Sequence, residues 1–150
     1  MKKHRFKAIL FLFSFVLLSS DFSFAQTVAG KIYSREDADK LFGPVLEKVS
    51  LDSDQFQKLV NNSGAVIMFK FESSGLYIFN DKRNVIYSTG QNKTFLASDI
   101  LKFYSLSVVN DLLNKGQAST VTIEKRQNVI SITDGSYTME DAIACPPICP

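Results

Sequence analysis

Two stretches of the chain carry apolar residues at helical spacing, and each is followed by three short runs of strand character. In the first, Phe56, Leu59 and Val60 share one helical face, Asp52 stands as the cap and Gly64 closes the turn. Residues 65–72, 76–80 and 85–88 then read as strands joined by short polar turns. In the second, Val108, Val109, Leu112 and Leu113 form the stripe and Gly116 ends it. Residues 119–125, 129–133 and 136–140 follow as strands, with Val121 and Ile123 on one side of theirs and Thr120, Thr122 and Glu124 on the other. An earlier helix opens at Ser34, whose hydroxyl can cap the amide three residues on, and stops at Gly43-Pro44. Residues 45–51 predict a short edge strand or an extended connector. Residues 100–106 read either as the first half of one long helix or as a separate element before a helix capped by Ser105 or Ser107.

The fold class is therefore α+β: antiparallel sheet built from two three-stranded meanders, each preceded by helix, with the helices packed on one face. Phe56, Leu59 and Val60 recur as Val109, Leu112 and Leu113, 53 residues later. This weak internal duplication predicts two helix-then-meander units that share one core. Val66-Ile67-Met68-Phe69 is apolar on both faces of its strand, so a helix, a second layer of protein or a partner must cover each face. The arrangement broadly resembles small exported folds such as the tandem-unit β-lactamase inhibitory proteins and PepSY-like domains. The resemblance is architectural, with no shared motif, and no residue roles follow from it.

The N-terminus sits outside this pattern. Lys2, Lys3, His4, Arg5 and Lys7 precede a short apolar run, and Ser23-Phe24-Ala25 offers small residues at −3 and −1. Such a segment predicts a secretory signal peptide over residues 1–25, cleaved after Ala25. Its apolar run is too short to span a bilayer, which takes roughly 20 residues. Residues 26–144 then form a single globular domain, and residues 145–150 a Cys-Pro tail. No transmembrane segment is expected after cleavage, and the destination is extracytoplasmic, either secreted or periplasmic.

Cleavage changes the charge. The full chain has 17 basic and 15 acidic residues, but four of the basic ones and one acid lie within the first 25. The remainder is close to neutral, so no basic surface for nucleic acid is expected. The single His leaves with the same segment. Histidine-dependent triads, Cys-His dyads and His-containing zinc sites are thereby excluded from the mature chain.

What chemistry remains is sparse. Cys145 and Cys149 bracket Pro146-Pro147-Ile148, and two cysteines in an exported chain predict a disulfide between them. The C-x-x-x-C spacing also leaves open thiol-redox chemistry, soft-metal capture or an intermolecular bridge, each with less support. Carboxylates are the only acid–base candidates. Asp52 and Asp54 are accounted for by helix capping, and no Gly-rich phosphate loop or nucleophile elbow occurs. Catalytic residues, metal ligands and cofactors are accordingly expected to be none. The aromatic strand residues Phe69, Phe71, Tyr77, Phe79 and Tyr87 are a candidate binding patch, should their faces coincide and stay exposed. The expected role is that of an exported, non-catalytic binding module whose partner is a protein or an envelope component. The alternatives are a carrier holding a small apolar ligand in an aromatic-lined cavity and, further behind, a thiol-redox or soft-metal protein.

Overall fold

The computed structural model describes residues 28–146. The chain runs β1 (Lys31–Ser34), α1 (Arg35–Phe42), β2 (Glu47–Asp52), α2 (Ser53–Asn61), β3 (Val66–Glu72), β4 (Gly75–Phe79), β5 (Val85–Ser88) and β6 (Leu101–Ser105). It continues with α3 (Leu106–Gly116), β7 (Thr120–Lys125), β8 (Ile130–Asp134), β9 (Tyr137–Glu140) and β10 (Ile143–Cys145). The described fold is α+β, with ten strands in two antiparallel sheets and three helices in the minority. Among the described residues no helix is long and apolar enough to cross a membrane.

Local chemistry sets the helices and meanders that the pattern predicts, while β1 and β10 fall where it predicts no strand. The Ser34 hydroxyl accepts from the Asp37 amide at 3.1 Å to cap α1, and Asp52 Oδ1 accepts from the Asp54 amide at 2.9 Å to cap α2. Gly64 turns the chain out of α2 at φ +85°, and a Cβ there would lie 2.0 Å from the Asp81 carboxylate. Residues 45–51 give the edge strand β2, and 100–106 give a strand followed by a helix entered at Ser105. The Ser105 hydroxyl leaves that helix uncapped and accepts from the Ala29 amide at 2.9 Å instead.

The 53-residue correspondence reappears in the topology. The sheets have strand orders β1-β9-β8-β7-β2 and β10-β6-β3-β4-β5. Each meander, β3-β4-β5 or β7-β8-β9, thus receives on its first strand the strand that leads into the other unit's helix. The register is matched as well. Asp52, the cap of α2, pairs with Thr120, while Ser105, the entry to α3, pairs with Val66. The two units are interleaved by exchange of their lead strands, which explains why neither half has a core of its own.

One core joins the inner faces of both sheets to α2 and α3. Ile67, Phe69, Ile78 and Tyr104 come from one sheet, Val121, Ile123, Ile132 and Met139 from the other, and Phe56, Val60, Val109 and Leu112 from the helices. The predicted cover for the second face of β3 is protein. Val66, Met68, Tyr77, Phe79 and Phe103 pack beneath the loop of residues 89–100, which inserts Phe95. The Phe95 ring lies edge-on to Tyr77 and Phe79, 4.9 Å from each centroid. Helix α1 differs from α2 and α3. It lies against the outer face of the first sheet, where Arg35 and Asp39 reach the polar side of β7. At the C-terminus, β10 draws Cys145 into the sheet opposite Leu101 and buries it, so the globular fold extends past residue 144.

Candidate functional site

The structure separates the five aromatic residues proposed as a patch. Strand register places Phe69 opposite Ile78 and Met68 opposite Phe79, so Phe69 and Phe79 project from opposite sides of the sheet. Phe69, Phe71 and Tyr87 join the shared core, whereas Tyr77 and Phe79 lie under Phe95. Phe69, Tyr77 and Phe79 are fully buried. This corrects the expectation of one exposed aromatic face, and the five line no common cavity. Cys145 is buried and its sulfur accepts from Arg83 Nη1 at 3.2 Å. Cys149 and the signal segment lie outside the described residues.

Two features that the aromatic pattern does not reveal dominate the structure instead. The first is a buried charged cluster between α1 and the outer face of the first sheet. Glu124 faces Ser131 across β7–β8, and the Ser131 hydroxyl donates to Glu140 on β9. Arg126, just beyond β7, completes the cluster. Its Nη2 donates to Asp39 at 2.8 Å and to Glu124 at 3.1 Å, its Nε donates to Ser131 at 3.2 Å, and its Nη1 donates to the Gly43 carbonyl. Arg35 adds a second bond to Glu124 at 2.8 Å. One guanidinium thereby ties the end of α1 to the β7–β8 hairpin, as its planar fork of donors allows. Burial works against the charge on Arg126, but Asp39, Glu124 and Glu140 outweigh it and raise its pKa.

Glu140 is the least compensated member. Its Oε1 receives Ser131 and stands 3.4 Å from Arg126 Nε, while its Oε2 has no hydrogen-bond partner. Burial pushes this carboxyl up to about 7 against the lowering effects of Ser131 and Arg126. Glu124 and Asp141 add to the rise. The arrangement is a structural ion cluster, closed to solvent at Glu124, Arg126 and Glu140.

The second feature is a pair of clefts on either side of the β7–β8 turn, sharing Gln127, Asn128 and Val129. One, of about 370 Å³, opens where the inner faces of the two sheets meet the turn. Its apolar lining is Phe69, Phe71, Ile100, Val129 and Ile130. Lys102 stands on the core-facing side of β6, in register with Phe69 and two residues before the buried Tyr104. Lys125 extends the inner-face row of Val121 and Ile123 and reaches Glu47 only at 3.7 Å. Below the cleft, the Tyr104 hydroxyl donates to the Ile130 carbonyl and fastens one sheet to the other. The second cleft, of about 390 Å³, lies between the same turn and the end of α1, with Lys40, Leu41, Phe42 and Gly43 on its far wall. Leu41 is 64% exposed and Ile100 60% exposed, one on each side of the turn.

Arg126 supports both walls, because its side chain holds Gly43 and its backbone amide donates to the Val129 carbonyl at 3.0 Å across the base of the turn. The sequence signals for these residues were weak but present. Glu124 falls on the polar side of an alternating strand, where solvent is the ordinary expectation. Lys102 is legible as an inner-face residue only once 101–105 is known to be a strand. Comparison with protein-family models, curated proteins and solved structures finds no match.

Proposed function

We propose that the protein is an exported binding module that holds a protein or envelope component across the tip of the β7–β8 hairpin. The observation that carries this reading is the pair of adjoining clefts, each with an exposed aliphatic side chain at its edge and both braced by one buried arginine. Concave sites that combine apolar side chains with a few polar groups are where ligands and partner side chains are ordinarily received. Rigid walls reduce the ordering cost of binding, which suits a preformed recognition surface. The reading includes removal of residues 1–25 and a Cys145–Cys149 disulfide, which would stiffen the tail next to β10.

The test is a photo-crosslinking residue placed at Ile100, at Val129 or, as a control, at Asp111, which lines neither cleft. In the exporting host, one adduct of defined mass should form from the first two positions and not from the third. Equal labelling at all three positions, or none at any, would sink the reading. The mass of the mature chain, expected to start at Gln26 and to lack two hydrogens, checks export and the disulfide in the same preparation.

A further inference from the structure

The charged side chains that line the hairpin tip are of one sign, while the carboxylates that pair with most of them stand outside the lining. The full chain carries 17 basic and 15 acidic residues. The residues lining the two clefts nevertheless include five basic ones, Lys40, Lys70, Lys102, Lys125 and Arg126, and neither Asp nor Glu. Not all of that charge is available to a ligand. Arg126 is saturated by its carboxylates, and Lys70 lies 2.8 Å from Asp99 and 3.0 Å from Glu72. Lys40 is bound only to the exposed Glu36, an i,i+4 surface pair of little strength. Lys125 is held loosely, and the Lys102 ammonium has no ion pair or hydrogen bond among the described residues. A half-buried lysine on the core-facing side of a sheet, beside Phe69 and without a counter-charge, is an incomplete arrangement that an arriving anion would complete.

We infer that the segment received here is an acidic amphipathic stretch of a protein partner, with a large apolar side chain in each cleft and carboxylates directed to Lys102 and Lys125. The inference rests on the binding role proposed above and adds the chemistry of the occupant. Shape favours a peptide over an anionic membrane surface. The apolar groups line concave clefts, whereas the part that protrudes between them is the polar, uncharged Gln127-Asn128. That turn would hold apolar side chains away from a bilayer, yet its two amides can donate to and accept from a peptide backbone. Each cleft is at the small end of the range for a binding pocket, roughly 300–1,000 Å³, and takes one or two bulky side chains.

A displayed library of random dodecapeptides, selected on the immobilised mature protein, tests this. Two variants serve as counter-selections, Ile100→Asp at an exposed position for the face and Lys102→Glu at a half-buried one for the charge. Circular dichroism of each variant checks that the fold persists. Support consists of enriched peptides that combine net negative charge with two or more large apolar residues. They should lose at least tenfold in retention on Ile100→Asp and at least fivefold on Lys102→Glu. Peptides lost on Ile100→Asp but neutral or basic would overturn the acidic assignment and leave the face intact. Peptides indifferent to Ile100→Asp, or no enrichment at all, would overturn the face as well. Flotation with phosphatidylglycerol vesicles that depends on Ile100 would overturn the peptide in favour of a membrane.

Discussion

The outer faces of the two sheets have equivalent positions in a nearly symmetric topology and are closed by opposite chemistry. On β10-β6-β3-β4-β5, the outer face is Val66, Met68, Tyr77, Phe79 and Phe103 beneath a loop that inserts Phe95. On β1-β9-β8-β7-β2, it is Glu124, Ser131, Thr133, Thr138 and Glu140 beneath a helix that delivers Arg35 and Asp39. An apolar cover is non-directional, and shape-conserving exchanges within it cost little. A buried ionic cover is directional, because each group depends on a partner at a fixed place. The charged face therefore fixes the position of α1 and the hairpin, which are the walls of the two clefts, while the apolar face mainly supplies stability.

The sharpest way to break this contrast is to remove the arginine. Arg126→Met should destabilise the protein by about 3–5 kcal/mol in urea unfolding, since Glu140 would stay buried without a cation and Glu124 would keep only Arg35. A cost under about 1 kcal/mol would show that the cluster does not organise this face.

The next effect is one of pH. Burial raises Glu140 from an ordinary value of 4.5 to about 7, so native protein keeps a proton in that window that the unfolded chain releases. Its contribution to stability is therefore greatest below about 4.5, declines as pH rises and levels off above about 7. Glu140→Gln should flatten this dependence. The difference in unfolding free energy between wild type and variant should shift on the order of 3 kcal/mol between pH 4.5 and 8. Parallel curves would mean that Glu140 titrates normally.

On the apolar face, Phe79→Leu should cost only about 1 kcal/mol, with no change in pH dependence. If it proved costlier than Arg126→Met, the assignment of tolerance to one face and specificity to the other would fail. The smallest effect belongs to the clefts. Ile100→Asp should change stability by no more than about 0.5 kcal/mol, as an exposed substitution, while abolishing retention of the selected peptides. A large loss of stability would make Ile100 a packing residue instead.

Much of the fold was legible in the pattern of residues. Asp52 caps α2, which ends at its cap Asn62, two residues before the expected Gly64; Ser34 and Gly43 bound α1, and the alternation of Val121 and Ile123 with threonines set the face of β7. These are local matters, governed by caps, turns and periodicity over a few residues. The aromatic patch failed because its residues alternate on neighbouring strands, and alternation assigns a face only after register is known. Phe69 and Phe79 looked equivalent in sequence and were placed apart by a shift of one position in pairing.

The sequence alone determined the three helix starts, the two meanders, the α+β class and the 53-residue correspondence between the two units, because each depends on neighbours close along the chain; the strands β1, β6 and β10 needed their partners. Tertiary structure decided the exchange of lead strands, the burial of Glu124, Arg126 and Glu140, and the meeting of Lys102 with Val129 at one cleft. Those contacts join residues from about a dozen to nearly ninety positions apart, and no local rule specifies them. A glutamate on the polar side of a strand is ordinarily left to water; here a helix from the other end of the chain covers it, and the arginine beside it becomes the brace for the candidate site.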